Sequence, residues 1–202
     1  EKLGFDTDLV QFSNGKVNLG DRSVPLGEVV GDTEMVVEDE ITYGELSEKY
    51  AQDTFGAHFV EVAVNAYTCE IRVRKMVAAC HAGRILNPKA ARSQVIGAMT
   101  MGVGAALMEE MVVDKRVGFF VNHDLAGYEV PVHADIPYQE VMLLDEVDRT
   151  MSPMKAKGIG ELGLCGVAAA IANAVYNATG VRVRDYPITL DKLIDKINRF
   201  YP

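Results

Sequence analysis

The chain carries two opposite hydrophobic rhythms. From His58 the apolar residues alternate: Val60, Val62 and Val64 share one face. After a turn at Ala66–Cys69 the period of two resumes through Ile71, Val73, Lys75 and Val77. That pattern predicts a β-hairpin. Residues 90–112, AARSQVIGAMTMGVGAALMEEMV, are instead apolar nearly all round, which predicts a long buried helix. Gly97, Gly102 and Gly104 each weaken such a helix by about 1 kcal/mol relative to Ala. Their presence therefore predicts close packing against another backbone or a ligand. Residues 163–179 predict a second buried helix, rich in Ala and closed by Gly180. Residues 117–121 and 139–144 read as strands. The long loop between them carries Tyr128, His133 and Asp135. From Thr189, Leu190, Leu193, Ile194 and Ile197 recur at helical spacing and predict an amphipathic docking helix.

Residues 1–50 are polar, acidic and turn-rich, and read as short strands or coil, with a short helix over Leu46–Tyr50. The run Glu38-Asp39-Glu40 reads as a solvated face. The expected division is a polar segment, 1–50, continuing an upstream domain, and a main domain, 51–202.

Composition narrows the function classes. The 202 residues carry a net charge of -9, which argues against a nucleic-acid footprint, since that needs a basic face. No apolar run is long enough to span a membrane. Cys69, Cys80 and Cys165 are an odd number without a CxxC pair, which fits reduced or buried thiols better than a disulfide framework. His81 beside Cys80 resembles a ligand pair, but neighbours on a strand point to opposite faces.

The chemistry concentrates in Lys157–Gly166, KGIGELGLCG, which runs into the small-residue helix. It sets one carboxylate, Glu161, among glycines at an expected helix start. A carboxylate there suits general-base work, or serves only as a partner for the helix dipole. Gly158, Gly160 and Gly163 also satisfy GxGxxG, with Asp185 further on. A dinucleotide loop, however, needs an apolar strand before its first glycine. The preceding MSPMKAK, with Pro153 and two lysines, is a poor strand. On the first helix, Ser93 reads as a cap and Gln94 as a solvated polar residue.

KGIGELG with its small-residue helix resembles the active-site loop of the xanthine dehydrogenase and aldehyde oxidase family of molybdenum hydroxylases. It is most similar to the molybdenum-binding subunit of bacterial aldehyde oxidoreductases. FGAHFVEVAVN, RVRKMVAACHAGRILNPKAARSQVIGAMTMGVGAALMEE and GVAAAIANAVYNATGVRVRDYPIT resemble that subunit in the same order, so the likeness covers roughly residues 45–195. Xanthine-oxidising members carry a Pro pair after the loop Glu. Leu162 and Gly163 stand here instead, which favours the aldehyde-oxidising branch.

The resemblance implies an α+β fold: a mixed sheet with buried glycine-rich helices, forming a molybdenum cofactor-binding domain. It implies that Glu161 is the general base in the oxidation of aldehydes or N-heterocycles, with water as the oxygen source. Apolar surroundings from Leu162, Leu164 and Cys165 are expected to raise its carboxyl pKa. Gln94 and Gly160 are the implied cofactor-binding residues. The molybdenum is held by molybdopterin, in its cytosine dinucleotide form, and no residue ligates the metal directly. Iron–sulfur clusters and FAD belong on partner subunits or domains. The chain is expected to be the C-terminal part of the molybdenum subunit, inactive without the upstream part. Its expected place is the cytoplasm, or the periplasm through a partner's export signal. The alternatives are a nicotinamide-dependent dehydrogenase using the GIGELG loop and a non-catalytic domain of the same fold.

Overall fold

The computed structural model describes residues 2–32, 34, 36–38, 40, 46–144, 146–152 and 154–197. Asp39 and Pro153, named above, lie outside them. The chain forms two compact units, Glu1–Thr42 and Tyr43–Pro202.

In the first unit, β1 (Gln11–Ser13), β2 (Lys16–Leu19) and β3 (Arg22–Pro25) form an antiparallel sheet, followed by α1 (Leu26–Val30). Asn14 and Gly15 join β1 to β2 at φ 50° and 69°. That is the two-residue turn whose twist suits a hairpin, and Asn-Gly is its preferred sequence. Phe5 and Val17 are the buried apolar residues among those described in this unit, and Arg22 lies 4.6 Å over the Phe5 ring.

The second unit begins with the short α2 (Leu46–Lys49) and then the expected hairpin, β4 (Phe55–Val64) and β5 (Ile71–His81). Its turn is set by Asn65, whose Oδ1 accepts from the Tyr67 and Thr68 amides at 2.9 and 3.1 Å. α3 (Pro88–Leu107), the small hairpin β6 (Val113–Asp114) and β7 (Phe119–Phe120), β8 (Gln139–Leu144), α4 (Val167–Thr179) and α5 (Asp191–Ile197) follow. A 3-10 turn at His133–Asp135 interrupts the long loop. β5 pairs antiparallel with β4 and parallel with β8, so the sheet is mixed, as expected. α4 packs on β4 and α3, and α3 packs on β5 and β8. Met76, Met99, Ile171 and Leu193 are fully buried where these elements meet. Burial of each such side chain stabilises the fold by about 1.5–3 kcal/mol.

Several boundaries differ from the sequence expectation. α3 starts at Pro88, and its cap is Asn87, not Ser93: Asn87 Oδ1 accepts from the Ala90 amide at 3.0 Å. The helix stops at Leu107 because the backbone beyond it finds other partners. Val112 receives a hydrogen bond from the Val121 amide at 2.8 Å and donates to Asn122 Oδ1 at 2.9 Å. Val117 and Gly118 turn back on the Asp114 carbonyl, which leaves only Phe119–Phe120 as strand. α4 starts at Val167, because Gly166 has φ 89° and cannot continue a right-handed helix backwards. In α5 only Leu193 and Ile197 are buried, while Leu190 and Ile194 keep 49% and 38% exposure. The docking stripe is therefore half the width expected.

Candidate functional site

A cleft of about 360 Å³ opens where β5 runs out, beside the first turns of α3. Its walls are three segments: Ala82–Asn87, Ala90–Gln94 on α3, and Ala156–Gly160. Backbone pairing joins the first to the third. The Arg84 amide donates to Lys155 O at 2.7 Å, and the Lys157 amide donates to Ala82 O at 2.8 Å. Gly83 makes this approach possible: its φ is 64°, and a Cβ there would come within 2.5 Å of Lys155 O.

The structure brings Gln94 and Gly160 together. Gln94 Nε2 donates to the Gly160 carbonyl in a long hydrogen bond of 3.4 Å, and both residues line the cleft and are exposed. The glycine loop is pressed onto α3 just beyond: a Cβ on Gly163 would stand 2.8 Å from Val95 Cα. Glu161 follows Gly160 at the rim and is exposed. It is not in a first helical turn. It sits in a run of turns where its own carbonyl accepts from the Leu164 and Cys165 amides at 3.0 and 3.3 Å. The apolar pocket expected around its carboxylate is not formed by this chain: Leu162 and Leu164 are only half-buried, and Cys165 is exposed.

Arg84, Asn87 and Lys157 were not among the expected site residues. The Asn-Pro pair after Gly83-Arg84 is a helix-start signal that locates the first two. Lys157 is neutralised inside the wall. Its Nζ lies 2.7 Å from Asp148 Oδ2 and donates to Asp53 O at 3.0 Å, with only 6% of the side chain exposed. That ammonium, with the Thr150 hydroxyl and amide, holds the Asp148 carboxyl well below the usual carboxylate range. Arg84 is exposed, and its guanidinium has no partner among the described residues. It is thus the cation the cleft can offer to an anionic group.

The remaining candidates stay apart. Cys80 is fully buried, and burial pushes its thiol up. His81 points to the other face, stacked 4.6 Å from the Phe55 ring and 3.6 Å from Glu146. Tyr128 donates to Glu109 at 2.8 Å, away from the cleft. Among the described residues no three His, Cys, Asp or Glu side chains converge on a metal position. No strand precedes Gly158 among them either; Ala156 makes only an isolated bridge to Gly83. The nicotinamide reading of the loop therefore has no support. No helix among the described residues is long and apolar enough to cross a membrane.

Comparison with known proteins identifies the family. The profile of the molybdopterin cofactor-binding domain matches residues 1–137. Over 195 residues the chain is 67% identical to the aldehyde oxidoreductase molybdenum-binding subunit PaoC of Escherichia coli (strain K12), covering 96% of this chain and 27% of that subunit. It is 37% identical over 144 residues to the xanthine dehydrogenase molybdenum-binding subunit of Escherichia coli O157:H7, covering 71% of this chain and 19% of that one. Among solved structures, the aldehyde oxidoreductase from Desulfovibrio desulfuricans superposes with a TM-score of 0.64 at 33% identity, over 71% of this chain and 15% of that chain. Quinoline 2-oxidoreductase from Pseudomonas putida 86 superposes with a TM-score of 0.69 over 96% of this chain and 26% of that chain; at 21% identity this concerns the fold alone. The chain thus spans about a quarter of the length of the curated relative it matches at 67% identity.

Proposed function

The chain belongs to the molybdopterin cofactor-binding domain family, and from that premise we propose that it works as the C-terminal part of a molybdenum hydroxylase that oxidises aldehydes or N-heterocycles. The observation that carries this reading is the Gln94–Gly160 contact, which joins the two expected cofactor residues across one cleft. The donor set suits an organic, anionic group better than a bare ion. Among the described residues it offers a side-chain amide that both donates and accepts, a guanidinium on Arg84 without a partner, and no converging metal ligands.

When bound, the molybdenum–molybdopterin group supplies the two-electron oxidation. Gln94 and Gly160 would hold and orient it, and Arg84 would offer its charge to an anionic part of it. Glu161, exposed at the rim, is the general base: its carboxylate accepts the proton released as a water-derived oxygen enters the substrate. The cytosine dinucleotide form, iron–sulfur and flavin partners, a small aldehyde or heterocycle as substrate, and a cytoplasmic or periplasmic site complete the reading.

The test is molybdenum content, intact mass and turnover of natively purified material. Molybdenum in a complex much heavier than 22.0 kDa, oxidising aldehydes with an artificial electron acceptor, is expected. A natively assembled complex that holds no molybdenum and oxidises neither substrate class overturns the proposal.

A further inference from the structure

His58 occupies a place on β4 that its neighbours fill with valine. Val60, Val62 and Val64 share its face of the strand and pack on the core. An imidazole there leaves Nδ1 buried with no hydrogen-bond partner among the described residues, a penalty that valine would avoid. The other ring nitrogen shows what the histidine does. Nε2 lies 3.4 Å from the Leu162 carbonyl. A carbonyl only accepts, so Nε2 carries the hydrogen. The same ring lies against the end of the glycine loop: a Cβ on Gly166 would stand 3.5 Å from His58 Cδ2.

The loop is therefore held from two sides. α3 holds it through Gln94 to Gly160 and through the seat of Gly163 on Val95. β4 holds it through His58 to Leu162, the residue after Glu161. Among the described residues no other group donates to the Leu162 carbonyl.

We infer that His58 is a positioning residue: by fixing the Leu162 carbonyl it sets the direction in which the Glu161 carboxylate leaves the loop. The inference rests on the reading of Glu161 as the base. Three variants of the natively assembled enzyme separate the two ideas. His58→Gln keeps a donor, because the glutamine Nε2 is as many bonds from Cβ as the imidazole Nε2. His58→Met keeps the bulk and cannot donate. Glu161→Gln removes the base.

In His58→Met, kcat is expected to fall about tenfold to a hundredfold, with KM and molybdenum content unchanged. Amide exchange at Leu164 and Cys165, measured by mass spectrometry, should quicken about tenfold or more while β5 stays protected. His58→Gln should recover both. Parental turnover and exchange in His58→Met overturn the inference. So does equal damage in His58→Gln, or loss of molybdenum from His58→Met, which would mark a merely structural role. If Glu161→Gln is inactive while His58→Met is normal, only the positioning role falls. If Glu161→Gln turns over normally, the base reading falls and takes this inference with it.

Discussion

Gly102 of α3 and Val167 of α4 touch so closely that a Cβ on the glycine would come within 2.5 Å of the valine Cβ. The two helices that carry the cleft wall and follow the glycine loop are locked at this point. Gly102→Ala should therefore destabilise the fold by about 1–3 kcal/mol through overpacking. Gly97 is the matched control on the same helix, because a Cβ there meets nothing within 4 Å. Gly97→Ala should stabilise by up to about 1 kcal/mol through helix propensity. Denaturant unfolding of both variants checks the pair, and a tolerated Gly102→Ala would contradict the contact.

The Lys157–Asp148 pair gives a pH prediction. The folded state holds the Asp148 carboxyl below its ordinary value of 3.8, so it favours the ionised form. Such a group adds stability above its unfolded pKa and loses it as pH falls below that value. The parent should lose stability on acidification below about pH 4. Asp148→Asn should show a shallower loss over the same window. At neutral pH that variant should be less stable by roughly 2 kcal/mol, because it weakens a charged hydrogen-bond set around a buried ammonium. Unfolding midpoints measured between pH 3 and 7 decide it.

The hairpin and β8 are legible in the sequence, because strand alternation and turn chemistry are local signals; the mixed sheet is legible only through the family resemblance. Asn65 and Asn14-Gly15 specify their turns within a few residues. The helix ends were less legible. Residues 108–112 continue the apolar pattern of α3, yet their backbone is drawn into pairing with residues 121 and 122. α4 starts later than its apolar pattern predicts, since Leu162 and Leu164 fit helical spacing but the positive φ of Gly166 bars the helix from extending back to them. At the site, Gln94, Gly160 and Glu161 came from the family resemblance; by periodicity Gln94 was only a solvated side chain. Lys157 was visible as a charge, but its partner Asp148 is a loop residue that no spacing rule connects to it.

Gln94 supplies the last prediction. It is exposed on the first turns of α3, and among the described residues its side chain makes one hydrogen bond, of 3.4 Å, to the Gly160 carbonyl. Exposed substitutions that leave packing intact change stability by about 0.5 kcal/mol or less. Gln94→Leu should therefore fold and assemble normally. If the amide orients the cofactor, losing it should weaken molybdenum retention by about tenfold to a hundredfold, the range seen for residues that support a bound metal group. Gly160→Ala probes the same spot from the other side. Its Cβ would stand 4.0 Å from Gln94 Nε2, an ordinary contact, so the fold tolerates it while the cleft narrows. Metal analysis after prolonged dialysis, beside calorimetric melting of the same samples, separates retention from stability. Parental molybdenum in both variants would mean that the group is held elsewhere, and that the Gln94–Gly160 contact only fastens the loop to α3.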